Sequence, residues 1–324
     1  MIPEKLLDAL KSYIADIAII SAALLFYSTN SYYVGFLRAE TQAVLFYLFA
    51  AYAILALPFY LSFPPHLSKG RVVLRGIVRY FREGNLESEE KVVMLFIAVK
   101  FFYIPLMLNF VFDNAFGMNS SARNFSVQPT IEETIINYTY PLALSLLFFI
   151  DTAFFTFGYI AEAGFLKNKV RSVEPTFLGW AVTLLTYPPL NSMYSQIFPW
   201  VANDYIDFGS LQATAAFRVV IILLVVVFVW ATVSLGTKSS NLTNRGIVAR
   251  GPYKYVRHPA YASKNAVWWL TIIPVISLQN IFLMAAWSFL YYMRAVTEER
   301  HLGRDTDYQE YRKKVKYKFI PRVW

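Results

Sequence analysis

Val219-Val220-Ile221-Ile222-Leu223-Leu224-Val225-Val226-Val227-Phe228-Val229-Trp230-Ala231-Thr232-Val233 runs without one charged side chain, and so does the stretch from Val44 to Phe63. A helix crossing a bilayer needs roughly 20 such residues. Over the 324 residues only 16% are charged and 57% are hydrophobic, where a soluble domain carries about 25% charged residues. The charge is missing from long blocks rather than thinned evenly. These blocks predict an all-α fold, a polytopic helical bundle in a membrane.

Working outward from that run, hydropathy predicts about six spans, near 14–29, 42–63, 92–112, 141–160, 176–195 and 213–235. Lys69, Arg71, Arg75, Arg79 and Arg82 load one connection, and Lys167, Lys169 and Arg171 load another. The connections near 114–140 and 196–212 are poor in Lys and Arg and carry Asp113, Glu132, Glu133, Asp204 and Asp207. Basic loops stay on the cytoplasmic side, so the N-terminus, the loops 64–91 and 161–175, and segment 237–262 are expected there. Lys5 and Lys11 precede the first apolar run, and no small-residue cleavage site follows it, so an uncleaved first helix is expected. Ala266 to Tyr292 has basic residues on both flanks, with Pro274 and Gln279-Asn280 near its middle. That pattern predicts a two-helix hairpin with both ends, and the C-terminus, in the cytoplasm. Three segments follow: an N-terminal extension over 1–140, core spans over 141–236, and a motif, hairpin and tail over 237–324. The host membrane is expected to be a prokaryotic plasma membrane or the endoplasmic reticulum.

Composition excludes several chemistries. There is no cysteine, so disulfides, thiolate metal sites and cysteine nucleophiles are out. His66, His258 and His301 are far apart and no His-Glu-x-x-His pattern exists, so no metal site is expected. No two glycines stand two apart, which rules out a dinucleotide fingerprint. The net charge of +9 flanks apolar spans, so it points to a membrane leaflet and not to nucleic acid.

In loop 64–91, Arg71, Arg75, Arg79 and Arg82 share one helical face while Leu74, Ile77, Val78 and Phe81 share another. This predicts an interfacial helix lying on anionic lipid. Lys100 and Asp151 lie inside spans, each roughly 14–16 Å from the cytoplasmic end at 1.5 Å per residue. Intramembrane charges are rare and costly, so both are candidates for a polar substrate pocket or for an internal ion pair. The span with Pro188-Pro189, Asn191 and Ser192 is expected to break and line a cleft, which makes Asn191 a third candidate. Asn119, Asn124 and Asn137 form sequons on the expected outer side.

After the long apolar run comes Gly251-Pro252-Tyr253-Lys254-Tyr255-Val256-Arg257-His258-Pro259-Ala260-Tyr261, and beyond the hairpin comes Glu298-Glu299-Arg300. This Arg-His-Pro-x-Tyr turn and Glu pair resemble the isoprenylcysteine carboxyl methyltransferase and phospholipid methyltransferase families of integral membrane enzymes. The resemblance covers about the last quarter of the chain. It implies S-adenosylmethionine as cofactor, with Arg257, His258, Pro259 and Tyr261 lining its pocket and Glu298 and Glu299 near its ammonium group. Tyr255 or Trp268 offers an aromatic face to the sulfonium. The tail, with Tyr308-Gln309-Glu310-Tyr311 and Phe319-Ile320-Pro321-Arg322, is similar to the family's closing segment. The chain departs from the family at Ser263, where Gly is usual, and at Thr306-Asp307, where Phe-Gly is usual.

The resemblance implies methyl transfer to a lipid or prenylated acceptor that enters from the bilayer. Two other classes stay open: a sterol-reductase-like enzyme using NADPH, and a non-catalytic scaffold on the same fold. Reductases with a similar hairpin often carry an acidic residue shortly after the motif Tyr, where this chain has Lys264-Asn265.

Overall fold

The computed structural model describes residues 4–63 and 67–323; His66 lies outside them. Two compact units divide the chain, Met1–Asn109 and Phe110–Trp324.

In the first unit α1 (Glu4–Thr29), the short α2 (Ser31–Phe36) and α3 (Ala39–Ser62) precede α4 (Lys69–Glu83), and α5 (Ser88–Arg123) begins there and continues into the second unit. Asp16 of α1 ties the group together. Its carboxylate accepts from the Tyr52 hydroxyl at 2.8 Å, from the Tyr60 hydroxyl, and from the Gly70 amide at 2.8 Å. The last contact places a negative charge at the first turn of α4, where free backbone amides favour it. Gly70 allows this approach, because a Cβ there would stand 2.9 Å from the Ala15 carbonyl carbon. Asn109 fixes the turn between α2 and α3, accepting from the Arg38 amide at 2.8 Å and the Thr41 hydroxyl at 2.9 Å.

Arg71, Arg75 and Arg79 of α4 turn toward carboxylates of their own unit. Arg71 meets Asp8 at 3.3 Å, Arg75 meets Glu90 at 3.0 Å and Glu89 at 3.3 Å, and Arg79 meets Glu90 at 3.4 Å and also Glu87. Lys100, expected in a substrate pocket, has its ammonium 5.0 Å from the Phe96 ring centre.

The second unit holds α6 (Ile131–Thr134), which passes through a π-helical turn (Ile135–Thr139) into α7 (Tyr140–Ile160), and then α8 (Phe177–Leu184), α9 (Leu190–Met193) and α10 (Leu211–Leu235). It closes with α11 (Pro259–Thr271), α12 (Leu278–Leu302) and α13 (Thr306–Lys314). β1 (Ser172–Val173) and β2 (Thr243–Asn244) pair antiparallel, Ser172 opposite Asn244. The core gathers Tyr140 and Leu144 of α7, Ile221, Val225 and Val229 of α10, Trp268 of α11, and Met284 and Tyr291 of α12.

Five helices among the described residues are long and apolar enough to cross a membrane: Lys5–Thr29, Ala39–Ser62, Ser88–Arg123, Ile131–Ile160 and Leu211–Lys238. Large apolar side chains stand exposed along them, Tyr47, Ile54 and Leu55 of α3 at 68%, 72% and 65%. An aqueous surface does not tolerate an apolar band of that extent, and a lipid one does. These five match five of the six spans expected from hydropathy. The remaining one, 176–195, is not a crossing helix. α8 stops at Leu184, the chain turns through Pro188-Pro189, whose bond is cis, and α9 is only four residues long. Two adjacent prolines without amides, each crowding the turn before it, break the helix where the sequence predicts a break.

The hairpin expected over 266–292 is present, with its turn at a 3-10 segment, Ile273–Val275. α11 has 13 residues, about 20 Å of helix at 1.5 Å per residue, against about 30 Å of hydrocarbon. Of the sequon asparagines, Asn119 lies in α5, Asn137 in the π-helical turn, and Asn124 in the loop after α5.

Candidate functional site

The last turn of α10 ends at Gly236, and the chain then wraps back along that helix to a 3-10 turn, Gly251–Lys254. Gly251 has φ +59° and a Cβ there would fall on the Ser234 hydroxyl, so only glycine fits this turn without strain. The turn delivers Arg257 and His258 to the start of α11, where Pro259 takes a first-turn position that needs no amide.

Arg257, His258 and Glu299 form a buried polar cluster. Arg257 Nε donates to Glu299 Oε1 at 2.7 Å, and His258 Nε2 donates to the same oxygen at 3.1 Å. Lys318 Nζ stands 3.2 Å from Glu299 Oε2. Burial opposes ionisation of Glu299, but the hydrogen bonds from His258 and Arg257 outweigh it and hold the carboxyl well below the usual carboxylate range. Burial likewise works against the Arg257 charge, and Glu299 more than restores it. A second Arg257 nitrogen, Nη1, donates to the Val315 and Lys316 carbonyls at 2.9 and 2.6 Å.

The tail completes the cluster with main chain. The Arg257 amide donates to the Tyr317 carbonyl at 3.0 Å and the His258 amide to the Lys318 carbonyl at 2.9 Å. The strap is anchored by α13, whose Tyr308 and Tyr311 pack with Val315 against Tyr253 and Leu302, and Tyr311 donates to the Tyr253 carbonyl at 2.8 Å. Arg171 adds an exposed clamp to Asp305 at 2.9 Å and Asp307 at 2.6 Å.

Glu298 is arranged differently. Its side chain is 44% exposed, and it accepts from the Tyr261 hydroxyl at 2.9 Å. The Tyr261 ring stacks on His258 with centroids 5.4 Å apart and planes within 6°. Tyr261 also lines a cavity of about 940 Å³, lined further from α10, α11, α12 and the tail by Trp230, Tyr255, Asn265, Tyr292, Phe319 and others, none of them charged. Tyr261 is therefore a wall of both the polar cluster and the apolar cavity.

Phospholipid methyltransferase is the family whose model matches residues 211–305. The match runs from the start of α10 to the residue before α13 and takes in Arg257, His258, Pro259, Tyr261 and the Glu pair. It agrees with the resemblance those residues carry, over less than half of the chain. No curated protein matches the chain.

Within the segment that the family model matches, the motif residues expected to act together do meet: Arg257 and His258 at Glu299, Tyr261 at Glu298. Tyr255 is 61% exposed at the cavity rim. Trp268 is packed away, edge-on to Trp200 and Tyr291 at 4.7 and 4.8 Å. Asp151 and Asn191 do not line the cavity. Asp151 accepts from the Thr232 hydroxyl of α10, and Asn191 accepts from the neighbouring Ser192 hydroxyl at 3.3 Å.

Sequence reasoning used Arg294 only as a flanking charge and missed its place. Its guanidinium sits over the Tyr261 and Tyr291 rings at 5.2 and 4.9 Å and donates to Thr186 at 2.9 Å and Asn241 at 3.1 Å. The available signal was its spacing, one helical turn before Glu298 on the same face. Lys318 carried no comparable signal.

Proposed function

We propose that this protein is an integral membrane methyltransferase that moves a methyl group from S-adenosylmethionine to a lipid or prenylated acceptor drawn from the bilayer. One observation carries the reading: Tyr261 touches the polar cluster, through His258 and Glu298, and also lines an apolar cavity able to hold a lipid chain. A donor held at the cluster and an acceptor held in the cavity would both lie against this one side chain.

The residues fit the cofactor unequally. Glu299 is saturated by Arg257, His258 and Lys318, so its part is to hold those groups in position. Glu298 is exposed and bonded to a neutral phenol, and it is the carboxylate that would take an ammonium group. When bound, S-adenosylmethionine supplies an electrophilic methyl group on a sulfonium. The protein then aligns donor and acceptor and keeps water from between them. The apolar cavity wall serves both ends, because it admits a hydrocarbon chain and no ion. The cofactor would reach the site from the cytoplasm, the side on which basic loops are held.

Calorimetric titration of detergent-purified protein with S-adenosylmethionine and with NADPH tests the reading. Saturable binding of S-adenosylmethionine alone, lost in Glu298→Ala, followed by labelled-methyl transfer to host lipids, is the expected result. NADPH binding would move the protein to a reductase class. Binding of neither by a folded sample would favour a scaffold.

A further inference from the structure

We infer that α4 is a membrane-inserted anchor whose partner is the acyl boundary of the bilayer leaflet, reached through an apolar stripe and not through anionic headgroups. The stripe is Leu74, Ile77, Val78 and Phe81, spaced along one face and exposed at 41%, 38%, 49% and 84%. The opposite face is fixed. Val72, Val73 and Gly76 are buried, and a Cβ on Gly76 would stand 3.2 Å from Glu90 Cβ.

Capping and ion pairs set the rotation of the helix. Ser68 accepts from the Arg71 amide at 3.2 Å, and Gly84, at φ +70°, closes the C-terminal end. Arg71, Arg75 and Arg79 are committed to Asp8, Glu87, Glu89 and Glu90, and Glu90 is fully buried among them. Only Arg82 makes no ion pair among the described residues of this face. The sequence pattern suggested arginines spread over phosphates, but the structure spends them on its own carboxylates. What remains exposed and unpaired is the apolar stripe with Tyr80 beside it and Arg82 near the end of the helix.

Connectivity puts that stripe at the membrane. α3, a helix of spanning length, ends at Ser62, and α4 begins at Lys69. Seven residues reach about 25 Å at full extension. On the other side Gly84 lies four positions from Ser88, the start of α5, a second helix of spanning length. A helix tethered at both ends to crossing helices cannot leave the interface, and its exposed apolar face finds lipid there.

The absence of cysteine makes the test clean. Leu74→Cys, Val78→Cys, Phe81→Cys and, as reference, Arg82→Cys would each carry one nitroxide in full-length protein reconstituted in phosphatidylcholine vesicles. Labels at 74, 78 and 81 are expected to be shielded several-fold from a water-soluble nickel chelate and open to oxygen, relative to 82. Added phosphatidylglycerol or high salt should leave the pattern unchanged. Equal chelate access at all four positions would overturn the insertion. Shielding that appears only with phosphatidylglycerol, and is lost in salt, would overturn the apolar mode in favour of headgroup attraction. Three labelled positions in successive turns keep the test intact if one variant fails to fold.

Discussion

Replacing Glu299 with Gln removes one charge and little volume from the centre of the cluster. The side chains of Arg257 and Glu299 are 7% and 9% exposed, and their contact is 2.7 Å. Breaking such a buried pair from one side typically costs about 3–5 kcal/mol. Arg257 keeps its bonds to the Val315 and Lys316 carbonyls, so the lower end, about 3 kcal/mol, is the expectation. For a unit of this size each kcal/mol lowers the melting temperature by about 2–4 °C, giving a drop of about 6–12 °C. The pH dependence adds a second readout. Glu299 has a folded-state pKa below its unfolded one, so its contribution is full above the ordinary carboxylate range and is lost as pH falls through that range and below it. Wild type should therefore lose melting temperature on acidification below about pH 4.3, with a steeper slope than Glu299→Gln. Melting followed by tryptophan fluorescence in detergent, with Arg257→Gln and the double variant completing a cycle, measures both. A Glu299→Gln variant that melts within about 1 °C of wild type, with an unchanged acid slope, would show that the carboxylate is not the structural centre. The assignment of cofactor contact to Glu298 would fall with it.

Tyr261→Phe deletes one hydrogen bond to Glu298, worth about 1 kcal/mol; melting should fall by about 2–4 °C, and titration should show S-adenosylmethionine affinity falling about fivefold. Ala285→Trp fills part of the cavity, and labelled-methyl transfer should drop at least about tenfold, an effect of about 1.4 kcal/mol, while cofactor affinity holds. Gly70→Ala forces the Asp16 contact apart and should cost about 1–3 kcal/mol by overpacking, seen as a lower melting temperature of the full-length protein. Arg171→Ala opens a half-exposed clamp worth about 1 kcal/mol or less, and whatever it costs should shrink in high salt.

The crossing helices were legible because long uncharged runs have few other fates. The break at Pro188-Pro189 was legible in segment 176–195; its extent was not, because hydropathy sums over a window and does not show that α8 stops at Leu184 and α9 is four residues long. The motif was legible by type and order, and the structure joins residues 41 and 42 positions apart at Glu299. The inequality of Glu298 and Glu299 was not legible, because it depends on which face of α12 meets the tail strap. Asp151 shows the same limit. Rise per residue gives depth along a helix, but its direction around the axis is set by packing, and packing turned it to Thr232. α4 was legible as a helix with an arginine face and an apolar face; what periodicity could not show is that acids from other helices and a loop claim its arginines.

The double role of the Tyr261 ring has a thermodynamic consequence. Tyr261 lines the apolar cavity and its hydroxyl bonds Glu298, so a ligand in the cavity and a ligand at Glu298 act on the same side chain. If filling the cavity tightens binding at Glu298 by some factor, binding at Glu298 must tighten the cavity's hold by the same factor. The two ligands would then not arrive independently, and each one's apparent affinity would depend on how much of the other is present.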